Sequence, residues 1–142
     1  MCLELIVVPT VTGAVSADTL SELSGLSVTD GMPHMATAFH VAREPGCSCS
    51  LLSDDADWNS PTWALDPAVL DGLARAVQEV AARAKGLTFE AVWMGDPIET
   101  QERIPLKRLL GDIRSNTIKN KHRYLVGPAA QQADAADEVR DG

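Results

Sequence analysis

Cysteine is scarce in this chain: three residues among 142, an odd number, with Cys47 and Cys49 only one residue apart. Two cysteines that close read as too near for an ordinary structural bridge, so a secreted disulfide scaffold is excluded and a reducing, cytoplasmic setting is expected. No run approaches the roughly 20 apolar residues of a membrane helix. The first nine residues are apolar but include Glu4, with no basic leading region and no small-residue cleavage site, so a secretory signal is not expected. Catalytic signatures are missing too: there is no G-x-S-x-G, H-E-x-x-H or G-x-G-x-x-G, and His34, His40 and His122 each stand alone. No catalytic residue is nominated on this basis, and no cofactor is expected.

What is present suffices for a folded core. Hydrophobic residues make up 45% and charged residues 23%, far from the composition of a disordered chain. At this length one core is the economical solution, so residues 1–127 are read as a single α+β domain. Residues 128–142 are Ala, Gln, Asp and Glu with almost nothing to bury, and are read as a disordered acidic tail.

Residues 3–8 form a β-branched and leucine run ended by Pro9, the pattern of a central strand. Ser16 is placed to cap a short helix through Leu20 and Leu23. Residues 36–43 and 47–53 read as two strands joined at Glu44-Pro45-Gly46, a hairpin turn. A long helix follows, with Asp66 as N-cap, Pro67 at its first position, and Val69, Leu70, Leu73, Val77, Val80 and Ala84 on one face. Residues 87–94 return as a strand. Leu106, Leu109, Leu110 and Ile113 then mark a shorter helix beginning near Pro105, and residues 124–126 a last strand. The order predicts a ferredoxin-like βαββαβ sandwich with an appended C-terminal helix and strand. Helices on one sheet face leave the other in need of a partner, so a homodimer or other homo-oligomer is expected.

Three constellations stand out. Along a strand, Cys47 and Cys49 point to one face, and a hairpin loop of two or four residues brings His40 onto it, making Cys47, Cys49 and His40 a candidate soft-metal or thiol site. A three-residue loop flips the register and removes His40. Cys2 is a poor fourth ligand, on the order of 15 Å away in that topology. The plainer reading is that both cysteines are small buried hydrophobes. The loop 54–63 is acidic and holds Trp58 and Trp63, which with Asp55 and Asp57 make a candidate partner-binding surface; the plainer reading is a solvated loop whose tryptophans plug the edge of the core. Its echo of a calcium loop fails, because Ser60 replaces the turn glycine and Asp66 the bidentate glutamate. Finally, residues 103–123 carry a formal +6 within a chain of net −8. Arg114, Lys119, Lys121 and Arg123 are therefore candidate phosphate-binding residues, although no glycine-rich loop accompanies them and only Tyr124 is at hand to stack on a base. Nucleic acid is a disfavoured partner at this net charge.

The expectation is a small cytosolic, non-enzymatic binding domain that self-associates and meets a protein or small ligand, away from any membrane. A thiol or metal activity at Cys47-Ser48-Cys49 with His40, and phosphate or nucleic-acid binding through 103–123, are the alternatives.

Overall fold

The computed structural model describes residues 3–32, 35–54, 56 and 60–127. It is a mixed α+β structure with strands β1 (Leu3–Pro9), β2 (Ser27–Met32), β3 (Met35–Ala42), β4 (Leu87–Trp93), β5 (Thr100–Arg103) and β6 (His122–Val126). Helices α1 (Ala17–Ser24), α2 (Pro67–Ala84) and α3 (Leu106–Arg114) complete it, with a 3-10 turn at Ser48–Leu51. Among the described residues no helix is long and apolar enough to cross a membrane.

The strands form one sheet in the order β2-β3-β1-β4-β6-β5. All neighbours are antiparallel except β5 and β6, which run parallel. β1 is interior, as its run of Leu, Ile and Val requires, and pairs with β4 along its whole length, from Leu3 opposite Trp93 to Pro9 opposite Leu87. Alternation then sorts the side chains. Leu3, Leu5, Val7, Phe39, Val41, Phe89, Ala91, Trp93, Tyr124 and Val126 enter the main core. The reverse face carries one cross-sheet row, Thr29, His40, Ile6, Glu90, Arg123 and Gln101, read in strand order from the pairing register. Ile6 is buried there outside the main core, between His40 and Glu90.

α2 packs on β1 and β4, with α1 and α3 against its flanks. Its start follows the sequence: the Asp66 carboxylate accepts the Ala68 N–H, and Pro67 begins the helix. Its end is set by Lys85 in the left-handed region followed by Gly86. α1 is capped by the Ser16 hydroxyl, which accepts the Thr19 N–H, and is closed by Gly25 at φ 71°, whose N–H donates to the Ser21 carbonyl. α1 and α2 meet at Gly72, where a Cβ would collide with the Ser24 backbone carbonyl.

Two strand expectations are corrected. The hairpin is β2–β3, not 36–43 with 47–53, because the second edge of β3 is taken by β1, which leaves 47–53 no strand to join. Residues 48–51 form the 3-10 turn instead. β2 (SVTDGM) and β5 (TQER) are polar edge strands that the hydrophobic pattern does not reveal. The tail 128–142 lies outside the described residues.

The α1–α2 contact generates a paired expectation. Gly72→Ala should lower unfolding stability by about 2 kcal/mol or more through the collision with Ser24. Gly111→Ala in α3, where an added Cβ meets nothing within 4 Å, should be neutral or stabilising by about 0.5–1 kcal/mol. Urea unfolding of the two variants checks both; equal effects would contradict the packing described.

Candidate functional site

β1 is completed unequally on its two sides. Toward β4 its ladder is continuous, but toward β3 direct pairing is confined to Ile6 with His40 and Val7 with Phe39. Buried backbone groups require partners, and those of the leading half of β1 find them in side chains of the 3-10 turn. The Leu5 N–H donates to Ser48 Oγ at 3.1 Å and the Leu3 N–H to Cys49 Sγ at 3.1 Å. The Cys47 thiol donates to the Leu3 carbonyl at 3.6 Å. Cys47-Ser48-Cys49 thus does a strand's work with side chains rather than backbone.

Ser48 is the pivot of this arrangement. It is fully buried, and besides accepting from Leu5 its hydroxyl donates to the Val41 carbonyl of β3, bridging the two strands where they part. His40 Nε2 lies 3.0 Å from the same oxygen. The only hydroxyl proton is committed to Val41, so the imidazole must be the donor, which selects its Nε2–H form. Burial pushes the His40 pKa below its ordinary 6.5, against an opposing pull from the Glu4 carboxylate. Behind Ser48, the Ser50 hydroxyl accepts the Arg43 N–H and donates to the Cys47 carbonyl. The Asp66 N–H donates to the Leu51 carbonyl, tying the turn to the cap of α2.

The two cysteines belong to this turn and not to a strand, so their shared face arises differently from the expected one. Their sulfurs lie 3.1 Å apart, both half-buried, and the Cys49 N–H also reaches Cys47 Sγ at 3.4 Å. His40 contacts Ser48, the residue between them in sequence. Among the described residues no group of three or more His, Cys, Asp or Glu side chains is disposed to hold a metal ion. The extended strand on which the arrangement of Cys47, Cys49 and His40 was drawn is replaced by the 3-10 turn at Ser48–Leu51, so strand register does not set the relation of these three residues. Cys2 lies outside the described residues.

Cys49 opens onto two adjoining depressions. A groove of about 820 Å³ is lined by Arg43, Glu44, Cys49, Ser50, Leu52, Ser53, Asp54 and Asp66. A smaller cavity of about 330 Å³ shares Cys49, Leu52, Ser53 and Asp54 with it and adds Ala56, Trp63 and Trp93. The two make one trough, with a charged rim at one end and tryptophan at the other. Arg43 and Asp66 form an ion pair on the rim, and Asp66 titrates below the ordinary carboxylate range because its oxygens accept from the Ala68 N–H and from Arg43.

Trp63 takes the place that the plainer reading of its loop gives it, at the edge of the core. It is buried, its Nε1–H donates to the Ala91 carbonyl at 2.8 Å, and its ring meets Trp93 edge-on with centroids 4.9 Å apart. It also lines the smaller depression, and β4 supplies the partner that a buried indole N–H needs. Trp93, its neighbour, was legible only as an inward strand residue. Asp55, Asp57 and Trp58 lie outside the described residues.

The basic segment is dispersed among carboxylates. Arg114 lies 3.8 Å from Asp71, Lys121 3.9 Å from Glu99, and Arg123 2.7 Å from Glu90, with Gln101 at 3.4 Å. The Lys119 N–H donates to the buried Tyr124 hydroxyl. Asn116, at φ 61°, exchanges two hydrogen bonds with the Leu65 backbone, so this loop braces residues 62–65. His122 Nε2 sits 3.0 Å from Glu102 Oε1 and links β6 to β5. Burial pushes Glu102 up, but hydrogen bonds from His122 and Arg108 outweigh it, leaving its pKa lowered.

No family model, curated protein or solved structure matches this chain.

Two measurements probe the turn. Ser48→Ala strands the Leu5 N–H and the Val41 carbonyl and should cost roughly 2–4 kcal/mol in urea unfolding; a loss under about 1 kcal/mol would mean that the bridge is not made. His40 generates a pH dependence. Its folded pKa is lowered, so the unfolded chain takes the proton first as pH falls below 6.5, and stability is lost from there down to the folded value. His40→Gln, which keeps an N–H for Ser48, should remove that component, seen as a shallower fall in urea midpoint than wild type below pH 6.5.

Proposed function

We propose that this protein is a small, non-enzymatic binding domain whose trough takes an amphipathic cation: a small molecule with an apolar end and a positively charged end. One observation carries the reading, the continuity of the two depressions through Cys49, Leu52, Ser53 and Asp54. At the inner end the edges of Trp63 and Trp93 offer apolar contact. At the outer end the carboxylates of Glu44 and Asp54 outnumber Arg43, whose charge is already met by Asp66. Leu52, Trp63 and Trp93 supply the apolar part of an otherwise polar trough, whose polar groups would fix a ligand's orientation. No nucleophile–base–orienter set accompanies the trough among its lining residues, which favours binding over turnover.

The same reading extends to architecture and setting. The stretch β1-α1-β2-β3-α2-β4, with the order β2-β3-β1-β4 inside the sheet, supports a ferredoxin-like core to which β5, α3 and β6 are appended. On the sheet face away from the helices Ile6, Ala38 and Val92 are already buried within the chain, so these residues do not supply the apolar surface that the expected self-association calls for. The cytosol is the compartment that suits thiols at Cys47 and Cys49.

Phenethylamine and phenylpropionate, matched in size and opposite in charge, separate this reading from its rivals. The amine should change tryptophan fluorescence saturably, and Asp54→Asn should weaken it about fivefold, the scale of one exposed charge pair. Equal binding of the acid, or no saturable change with either, would remove the proposal.

A further inference from the structure

The sulfur pair has chemistry of its own, independent of what the trough binds. In an extended strand two residues span roughly 7 Å, too far for their side chains to bridge without strain. The 3-10 turn shortens that separation, and the two sulfurs end 3.1 Å apart. Closing from there to a bond of about 2.05 Å takes a displacement of roughly 1 Å, which side-chain rotation in a half-buried turn supplies.

The surroundings also distinguish the two. Cys49 Sγ accepts the Leu3 N–H at 3.1 Å, whereas Cys47 Sγ accepts the Cys49 N–H at a longer 3.4 Å. Hydrogen bonds donated to a sulfur favour its thiolate form, the reactive species. Cys49 also lines both depressions, so a small reagent in the trough meets it. Cys47 lines neither and points its proton at the Leu3 carbonyl.

We infer that Cys47 and Cys49 form a reversible dithiol–disulfide couple, in which Cys49 attacks a low-molecular-weight disulfide entering the trough and Cys47 resolves the product. In the first step the Cys49 thiolate bonds to one sulfur of the reagent and expels the other as a thiolate, leaving a mixed disulfide. In the second, the Cys47 sulfur bonds to Cys49 Sγ, loses its proton, and expels the second reagent thiolate. Two protein thiols and one reagent disulfide become one protein disulfide and two reagent thiols. The two electrons pass to the reagent, and the two protons go to its sulfurs. Oxidation withdraws the Cys47 donor from the Leu3 carbonyl and alters the wall of the trough at Cys49, so the thiol state of the surroundings is written into the binding site.

Glutathione disulfide is the probe. The full chain and its Cys2→Ser variant are equilibrated with it, alkylated and digested, and the peptide holding both Cys47 and Cys49 is weighed. The expected result in both proteins is a peptide two hydrogens lighter, protected from alkylation and restored by dithiothreitol. In Cys47→Ser, which keeps a hydroxyl donor for the Leu3 carbonyl, the glutathione adduct at Cys49 should accumulate by roughly tenfold or more over wild type. Circular dichroism establishes that each variant is folded. Full alkylation of both cysteines under oxidant, a bond that maps to Cys2, or an adduct that persists equally in wild type would overturn the inference. Since the readout is thiol state, it stands or falls separately from phenethylamine binding.

Discussion

The fold turns on one hydroxyl. Ser48 is where β1 and β3 stop pairing with each other and begin to share an intermediary: it takes the proton of the Leu5 amide, gives its own to Val41, and holds the His40 ring. Without such a group the divergence of the two strands would bury unpaired backbone groups, at a cost of roughly 1–3 kcal/mol each. The divergence in turn makes room for the cysteines against the Leu3 backbone and for the trough beside them. Site and sheet are therefore not separable here, since the residues that line the first complete the second.

That arrangement explains which parts of the molecule the sequence discloses. α2 was legible because Asp66, Pro67 and an unbroken apolar stripe specify a start, a direction and a buried face together. α1, α3, β1 and β4 were legible for similar local reasons, periodic apolar residues bounded by caps or glycine and proline. β2 and β5 were not, because SVTDGM and TQER hold their places by backbone pairing at the sheet margins and bury little of their own. The Cys47–Leu51 stretch misled in the opposite sense. Its alternating cysteine and serine mimic a period-two strand, but the edge it would have joined belongs to β1, which is decided more than forty residues earlier in the chain.

The candidate site was legible as a list of residues rather than as an arrangement. Cys47 and Cys49 stand out in any reading, yet their proximity depends on a turn that sequence spacing alone does not choose. Trp63 reads as a plug at the edge of the core, but nothing near it in the chain names its partner, a carbonyl on β4 28 residues away. The basic segment shows the same limit. Seven cations in a row of 21 positions suggest a surface for phosphate, while Asp71, Glu79, Glu90, Glu99 and Glu102, spread along the chain, return as counter-ions once it is folded, several of them to this segment.

The two margins of the sheet carry a consequence for how copies of this chain meet. β2 is kinked by a register shift between Asp30 and Met32, and β5 presents exposed Thr100, Gln101 and Arg103. A neighbouring strand seeking to extend either border encounters a broken ladder on one side and a short charged ribbon on the other. Both borders are therefore poor templates for a further strand, and the polar segments that set them are the ones that obscure the sheet's outline in the sequence.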